Sequence, residues 1–358
     1  MHAALAHHSE AAARLNSQLL KCRTMRVAMT GGGGFIGSHL LSRMVGAGLD
    51  VTLIGATTGR SRYTASLVAS GAVRFLCCDG RFQQREILRR AVEDADVLVL
   101  LGHETPRSPT IGARLVDELD RNVAPVVRLL EAAEGRIRHV VFASSMSVYG
   151  GASPLPVRET DPPLPETPHA IAKLASEEAV RLMAKAGGWT ACVLRFANVY
   201  GPGEHDLGTI PGIIRAALTD QAVALRDGAF DEHDYVHVAD AARAAMRAVR
   251  DPVGGTYNIG TGVGTSASAL AALVFQVLGT PVKAIRDSAS GPLEARRLIA
   301  ATDMAAAALG FTAEHPLIDG IAEEVGWIRS LASAPASEGP THMSARGSVR
   351  REALRATA

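Results

Sequence analysis

The segment Thr30-Gly31-Gly32-Gly33-Gly34-Phe35-Ile36-Gly37 places glycines at the spacing Gly-x-x-Gly-x-x-Gly, directly after a short apolar strand and at the head of a helix pattern. That context suits a phosphate-binding turn. Gly31 and Gly34 carry no Cβ to block a pyrophosphate, and Gly37 lets helix and strand pack closely. Backbone amides of the first helical turn, at Phe35, Ile36 and Gly37, then face the phosphates together with the positive end of the helix dipole. The expected ligand is a nicotinamide dinucleotide. A carboxylate ending the second strand would hold a ribose diol, but Gly55 stands there, followed by Ala56-Thr57-Thr58-Gly59-Arg60-Ser61-Arg62. Arg60 and Arg62 with no acid nearby favour the 2′-phosphate of NADP over NAD; the bland alternative is a solvated basic loop. Asp79, ending the third strand, either accepts from the adenine amino group or caps its own turn. Further on, His169 and Lys173 stand four apart and so share one helix face. An imidazole exchanges a proton near neutral pH, and a neighbouring ammonium disfavours its charged form.

The elements that must position these groups alternate between strand and helix. Strands are expected at Arg26–Thr30, Val51–Ile54, Val73–Cys78, Asp96–Leu101, Ile137–Ser144 and Thr190–Phe196. Helices are expected at Phe35–Gly48, Gln83–Val92, Ile111–Glu134 and from Thr167-Pro168 to about Lys185, the last with Thr as N-cap and Pro at the first helical position. Asp-Val-Leu-Val-Leu-Leu (96–101) is apolar on both faces, as in a parallel sheet covered by helices. The series predicts an α/β fold with a doubly wound parallel Rossmann-type sheet and right-handed crossovers. After Tyr200-Gly201-Pro202-Gly203 shorter helices (Ile210–Leu218, Ser266–Leu278, Leu317–Ile328) mix with short strands (Thr256–Ile259, Val282–Arg286), predicting a smaller mixed C-terminal lobe over the strand ends. The organisation expected is an N-terminal extension (1–24), a dinucleotide domain (25–203, with 234–262 returning to it), a substrate lobe (204–233 and 263–331) and a disordered tail (332–358).

Composition removes other classes. With 37 Lys+Arg against 36 Asp+Glu and 4% aromatics, there is no basic stripe interleaved with aromatics, so nucleic acid is not an expected partner. No apolar run is long enough to span a bilayer, and the first 24 residues lack an apolar signal core, so a cytoplasmic protein is expected. Cys22, Cys77, Cys78 and Cys192 form no Cys-x-x-Cys pair, and no disulfide framework is expected. No metal site is expected either: His2, His7 and His8 lie in the extension, while His233 and His237 have no clustered carboxylate.

Several motifs fall in one order: Thr-Gly-x-x-Gly-Phe-Ile-Gly-Ser-His-Leu (30–40), Val-Val-Phe-Ala-Ser-Ser-Met-Ser-Val-Tyr-Gly (140–150), His-Ala-Ile-Ala-Lys-Leu-Ala-Ser-Glu-Glu (169–178), Leu-Arg-Phe-Ala-Asn-Val-Tyr-Gly-Pro-Gly (194–203), Asp-Tyr-Val-His-Val-Ala-Asp (234–240) and Tyr-Asn-Ile-Gly (257–260). In these the chain, from about 25 to 330, resembles the extended short-chain dehydrogenase/reductases, and among them the NAD-dependent epimerase/dehydratase family of nucleotide-sugar enzymes. The resemblance implies a Ser/Thr–Tyr–Lys site beside the nicotinamide. The serine falls on Ser145 and the lysine, which also holds the ribose hydroxyls, on Lys173. The tyrosine position is His169. Three readings stay open: His169 is a substitute acid/base, another group or a substrate hydroxyl carries the proton, or the usual chemistry is lost. His103 and Glu104, after the fourth strand, are either that other proton source or ordinary loop residues.

By the same resemblance, 4,6-dehydratases carry an acidic pair after the Ser/Thr; Met146 and Ser147 stand there, so dehydration of that kind is not expected. Asn198 is retained where the family contacts substrate near its phosphates. The arginine usual before Asp-Tyr-Val-His-Val is replaced by His233, and Arg296 and Arg297 are read as a solvated helix face or as phosphate contacts. Tyr149 is read as packing and Asp240 as the cap of a helix starting at Ala241. The expected protein is an NAD(P)-dependent oxidoreductase or epimerase-like enzyme passing hydride between nicotinamide and a carbonyl or secondary alcohol. Its substrate is a nucleotide sugar or a secondary-metabolite ketone, the latter for a ketoreductase with a non-Tyr proton donor. The rival is a catalytically inactive dinucleotide-binding sensor. A homodimer is a further implication of the family.

Overall fold

Alternate residues of each central strand feed two separate cores in the computed structural model of the chain. Val27, Met29, Val97, Val99, Val141 and Ala143 enter one, while Ala28, Leu98, Leu100, Val140 and Phe142 enter the other. The period of two along a strand makes this division, and both sets are apolar because helices cover both faces. The structure describes residues 24–333 except 60, 106–109, 152–153, 205–207, 220–222, 226–230, 282–284 and 288–296. The N-terminal extension to residue 23, the tail from 334, Arg60, Arg296 and part of the strand expected at Val282–Arg286 lie outside the described residues.

The main sheet has seven strands, all parallel: β1 (Arg26–Thr30), β2 (Asp50–Gly55), β3 (Arg74–Cys77), β4 (Val97–Leu100), β5 (His139–Ser145), β6 (Thr190–Phe196) and, after three short strands, β10 (Gly255–Ile259). Their order is β10-β6-β5-β4-β1-β2-β3. From β1 the chain runs outward to β3 and then returns to β4 on the other side. The crevice between the carboxyl ends of β1 and β4 is therefore a topological switch point, where open α/β sheets bind ligands. The doubly wound parallel fold expected from the alternation is the one observed.

The helices in chain order are α1 (Phe35–Gly46), α2 (Arg62–Ala69), α3 (Arg85–Val92), α4 (Ile111–Glu118), α5 (Ala124–Ala132) and α6 (Pro168–Gly187), then α7 (Thr209–Leu218), α8 (Val238–Arg250), α9 (Ala267–Leu278), α10 (Asp303–Leu309) and α11 (Leu317–Ser333). Two differ from the sequence expectation. Helix α2, with Ser61 capping the Thr64 amide at 3.2 Å, occupies a stretch for which the sequence reading names no element. The single helix expected at Ile111–Glu134 is broken by a π-helical turn, Leu119–Val123, between α4 and α5. Helix α6 follows its local code: Thr167 Oγ1 accepts from the Ala170 amide at 3.2 Å, Pro168 opens the first turn, and Gly188 in the left-handed region ends it.

A smaller mixed assembly sits beside the sheet. Strands β7 (Asn198–Tyr200), β9 (Glu232–His237), β11 (Gly264–Ser266) and β13 (Arg297–Leu298) form one small sheet, and β8 (Val223–Leu225) with β12 (Ile285–Asp287) another. Ile210, Ile214, Leu270, Phe275, Ile321 and Val325 from α7, α9 and α11 make its core. Asp240 does not cap a helix at Ala241: α8 begins at Val238, and the carboxylate instead binds the Glu314 and His315 amides at 2.9 and 3.0 Å and Arg243 at 2.7 Å. As the third residue of α8 it reaches across to the segment that follows α10. No helix among the described residues is long and apolar enough to cross a membrane.

Candidate active site

The turn after β1 is shaped by close approach. Gly31 has φ +74°, and a Cβ there would lie 2.6 Å from the backbone of Gly102 beyond β4; a Cβ on Gly37 would lie 2.0 Å from the Gly31 carbonyl oxygen. Both positions exclude any larger residue, and they bind the ends of β1 and β4 together, with the Gly102 amide donating to Thr30 Oγ1 at 3.1 Å. Gly34 caps α1 without a side chain, is exposed, and no acidic residue occupies the first turn. The first-turn amides, which lack helical acceptors, are thus left open to an anion. A cradle of this shape at the switch point fits a dinucleotide pyrophosphate. The loop after β2 rests on the turn, with the Ser61 amide donating to the Gly33 oxygen at 3.4 Å, and Arg62 is exposed at the start of α2. Asp79 Oδ1 accepts from the Gln83 amide at 2.9 Å, so a turn-capping role is visible in its contacts.

His169, Lys173 and Glu177 recur every fourth residue along α6 and form one stripe. Lys173 is buried; its Nζ donates to the Ala143 oxygen of β5 at 2.8 Å. Burial lowers its pKa to about 8, against the opposing pull of Glu118 and Glu177. At the N-terminal end of the stripe, Nδ1 of His169 lies 3.0 Å from Nε2 of His103. That same nitrogen of His103 is 3.4 Å from Oε2 of Glu118, the last residue of α4. Asn122 Nδ2, inside the π turn, donates to Oε2 of Glu118 at 2.6 Å and to the Glu104 oxygen at 2.8 Å, while its Oδ1 accepts from the Glu104 amide at 2.7 Å. His103, Asn122 and Lys173 line the same narrow gap.

Burial sets the charge states. Desolvation, then the nearby Lys173, lowers His169 to a pKa of about 4; His103 drops to about 2 for the same causes with His169 added. Both imidazoles are neutral at pH 7. Burial raises the Glu118 carboxyl above its usual range, against the opposing effects of Asn122 and Lys173. Either ring of the histidine pair can donate to the other, and His169 Nε2 has no hydrogen-bond partner among the described residues. A pair of neutral imidazoles in contact, backed by a carboxylate, can accept a proton from one side and pass another along.

Ser145 ends β5, accepting at Oγ from the Ser147 amide at 3.1 Å, which leaves its own proton for another oxygen. Tyr149 is fully buried, and its hydroxyl donates to Asn258 Oδ1 at 2.8 Å, so it serves as packing. Asn198 is exposed at the start of β7 and pairs in register with Tyr235, two residues from His233, so both substrate candidates lie on neighbouring strands. His233 stands within β9 and not in the loop before it. Arg297 pairs with Glu232 at 2.7 Å, and Glu104 with Arg121, both near the surface. Sequence reasoning raised His103 but overlooked Glu118 and Asn122. Their signal was a glutamate and an asparagine at i and i+4, in the first helical stretch after His103.

The family model for the NAD dependent epimerase/dehydratase family matches residues 27–260. The chain is similar to the UDP-glucose 4-epimerase of Mycolicibacterium smegmatis, at 30% identity over 86% of this chain and 99% of the relative. Among solved structures it is similar to MoeE5 in complex with UDP-glucose and NAD, at 30% identity and a TM-score of 0.74, covering 86% of this chain and 100% of that one. It is also similar to the Thermus thermophilus UDP-glucose 4-epimerase complex with NAD, at 27% identity and a TM-score of 0.74, over 85% and 99% of the two chains.

Proposed function

This chain belongs to the NAD-dependent epimerase/dehydratase family, and we propose that it oxidises and re-reduces a secondary alcohol on the sugar of a nucleotide sugar, with His169 moving the proton. The hydrogen bond of 3.0 Å between His169 and His103, on the same helix stripe as Lys173, carries the reading. When bound, the nicotinamide supplies hydride transfer. The amides of Phe35, Ile36 and Gly37 with Lys173 hold the dinucleotide, and the Ser145 hydroxyl donates to the reacting oxygen. His169 Nε2 accepts the alcohol proton while its Nδ1–H donates to His103 Nε2. The charge His169 gains is stabilised through His103, whose Nε2 faces Glu118 at 3.4 Å. The reverse passage returns the proton. Asn198 and His233, on adjacent strands, are assigned to the nucleotide end of the substrate.

Epimerisation is preferred over dehydration, because Met146 is buried and Ser147 is no acid where a dehydratase would need one. The relatives named as UDP-glucose 4-epimerases support a UDP-hexose and its C4 carbon. Gly55 and Arg62 support NADP(H), since β2 ends without a carboxylate for a ribose diol. The NAD held by MoeE5 supports the other cofactor. Side-by-side affinities for the two dinucleotides decide between them. The function is tested by incubating the protein with UDP-hexoses and dinucleotide and following the sugar by NMR. Interconversion of C4 epimers without net cofactor reduction is expected. Dinucleotide binding with no turnover of any UDP-hexose would overturn the proposal.

A further inference from the structure

We propose that His103, Glu118 and His169 form a binding site for a divalent transition cation, with zinc its best fit. One ligand atom from each lies within 4.8 Å of the others, the one such group among the described residues. Two imidazole nitrogens and a carboxylate oxygen are a donor set that zinc takes in sites keeping an open fourth position. With metal–ligand bonds of about 2.0–2.1 Å, the edge of a zinc tetrahedron is about 3.3 Å. The observed edges are 3.0 Å from His169 Nδ1 to His103 Nε2 and 3.4 Å from there to Glu118 Oε2. Two edges thus stand at coordination spacing, and the third is no longer than 4.8 Å.

The surroundings support the same assignment. Asn122 grips the Glu118 oxygen at 2.6 Å and is itself tied to the Glu104 backbone, the outer-shell restraint that orients metal ligands. The three ligands come from the end of β4, the end of α4 and the start of α6, elements packed on one another. Glu118 is 4% exposed, and its contacts are the Asn122 amide and the His103 ring, while Lys173 Nζ is bonded to Ala143. A buried carboxylate with no cation in contact is costly, and a bound divalent ion would offset that cost. The expectation of no metal site rested on histidines remote from this cluster. Going beyond the proposed function, an ion here takes the lone pairs that the histidine relay uses. It leaves His169 with its proton on Nε2, as a donor only, so zinc and alcohol oxidation exclude each other.

The test uses the full chain, stripped with chelator and titrated with Zn²⁺ by calorimetry and with Co²⁺ by visible absorption. One Zn²⁺ per chain and a tetrahedral-type Co²⁺ spectrum are expected. His103→Ala and Glu118→Gln should each weaken Zn²⁺ binding by more than tenfold, and Asn122→Ser by about 10–100-fold. Circular dichroism identifies any variant that fails to fold, and Glu118→Gln, nearly isosteric, serves if His103→Ala does not. Absence of a stoichiometric ion in the wild type overturns the site. So does an unchanged affinity in folded Glu118→Gln, which would place the ion elsewhere, for example on His2, His7 and His8. Loss of epimerase activity in His103→Ala with no ion bound in the wild type overturns the site and leaves the proton relay standing.

Discussion

The two ends of the stripe on α6 bury polar groups in opposite ways. At Glu177 every demand is met: its oxygens accept from Arg195 Nε at 3.0 Å, Arg195 Nη2 at 2.7 Å, Arg181 Nη2 at 2.6 Å and the Ser144 hydroxyl. Arg195 also stacks on Tyr149, 4.7 Å from the ring centroid. Two turns earlier, at the His169 end, Glu118 of α4 contacts only Asn122 and His103, and His169 keeps one nitrogen unpaired. A compensated carboxylate locks strand to helix and has little left to react with. One facing neutral imidazoles stores the capacity to hold a proton or a cation. Lys173 sits between the two, pinned to β5, so the rigid end holds the reactive end in place.

Glu177→Ala should have the largest effect, because it strands the Arg195 guanidinium, 3% exposed, without its anion. A loss of about 3–5 kcal/mol in denaturant unfolding is expected, and a loss under 1 kcal/mol would erase the contrast between the two ends. His169→Phe should do the converse. Turnover falls about 10²–10⁴-fold, while dinucleotide affinity and melting temperature stay near wild type; unchanged turnover would remove His169 from the chemistry. Glu118→Gln keeps shape and removes charge. It should lower turnover by about tenfold, a smaller effect than at His169 because Glu118 acts through His103, and should change the pH profile of turnover more than KM.

The smallest effect sharpens the contrast from the other lobe. Glu204 and Glu324 bury two carboxyls against each other: desolvation raises both above the ordinary range, the Glu324 charge raises Glu204 further, and the hydrogen bond with Glu204 draws Glu324 part of the way back. Their folded forms bind more protons than the unfolded chain, so their stabilising contribution is present at low pH and lost as pH rises through the folded values. His103, His139, His169 and His237 are depressed from 6.5 and oppose this only below that pH, and Lys173, lowered to about 8, opposes it above. Between those limits the free energy of unfolding should fall with rising pH, by no more than about 1.4 kcal/mol per pH unit for each proton. Glu324→Gln should flatten that slope; a wild type equally stable across the window would mean that the pair is not sharing a proton.

Much of the fold was legible along the chain. The continuous apolar run in Asp96–Leu101 predicts a doubly covered strand, and the residues of the glycine turn predict the phosphate cradle, because each depends on atoms close in sequence. The caps of α6 are equally local. The π turn at Leu119–Val123 was not legible: its extra residue answers to what Glu118 and Asn122 touch, and no propensity encodes that. Asp240 was misread for the same reason, since its partners at Glu314 and His315 lie far along the chain.

The candidate site divides along that line. Spacing put His169 and Lys173 on one helix face, and the family resemblance marked an imidazole where the family has a phenol. Only the folded chain joins that imidazole to His103 and Glu118, because β4, α4 and α6 meet at the sheet's carboxyl edge, and such contacts are made by packing between elements distant in sequence. Residue types and local periods therefore determined the architecture and the dinucleotide turn. Tertiary structure decided which polar groups were buried together, and burial is what neutralises the two histidines and leaves Glu118 without a cation.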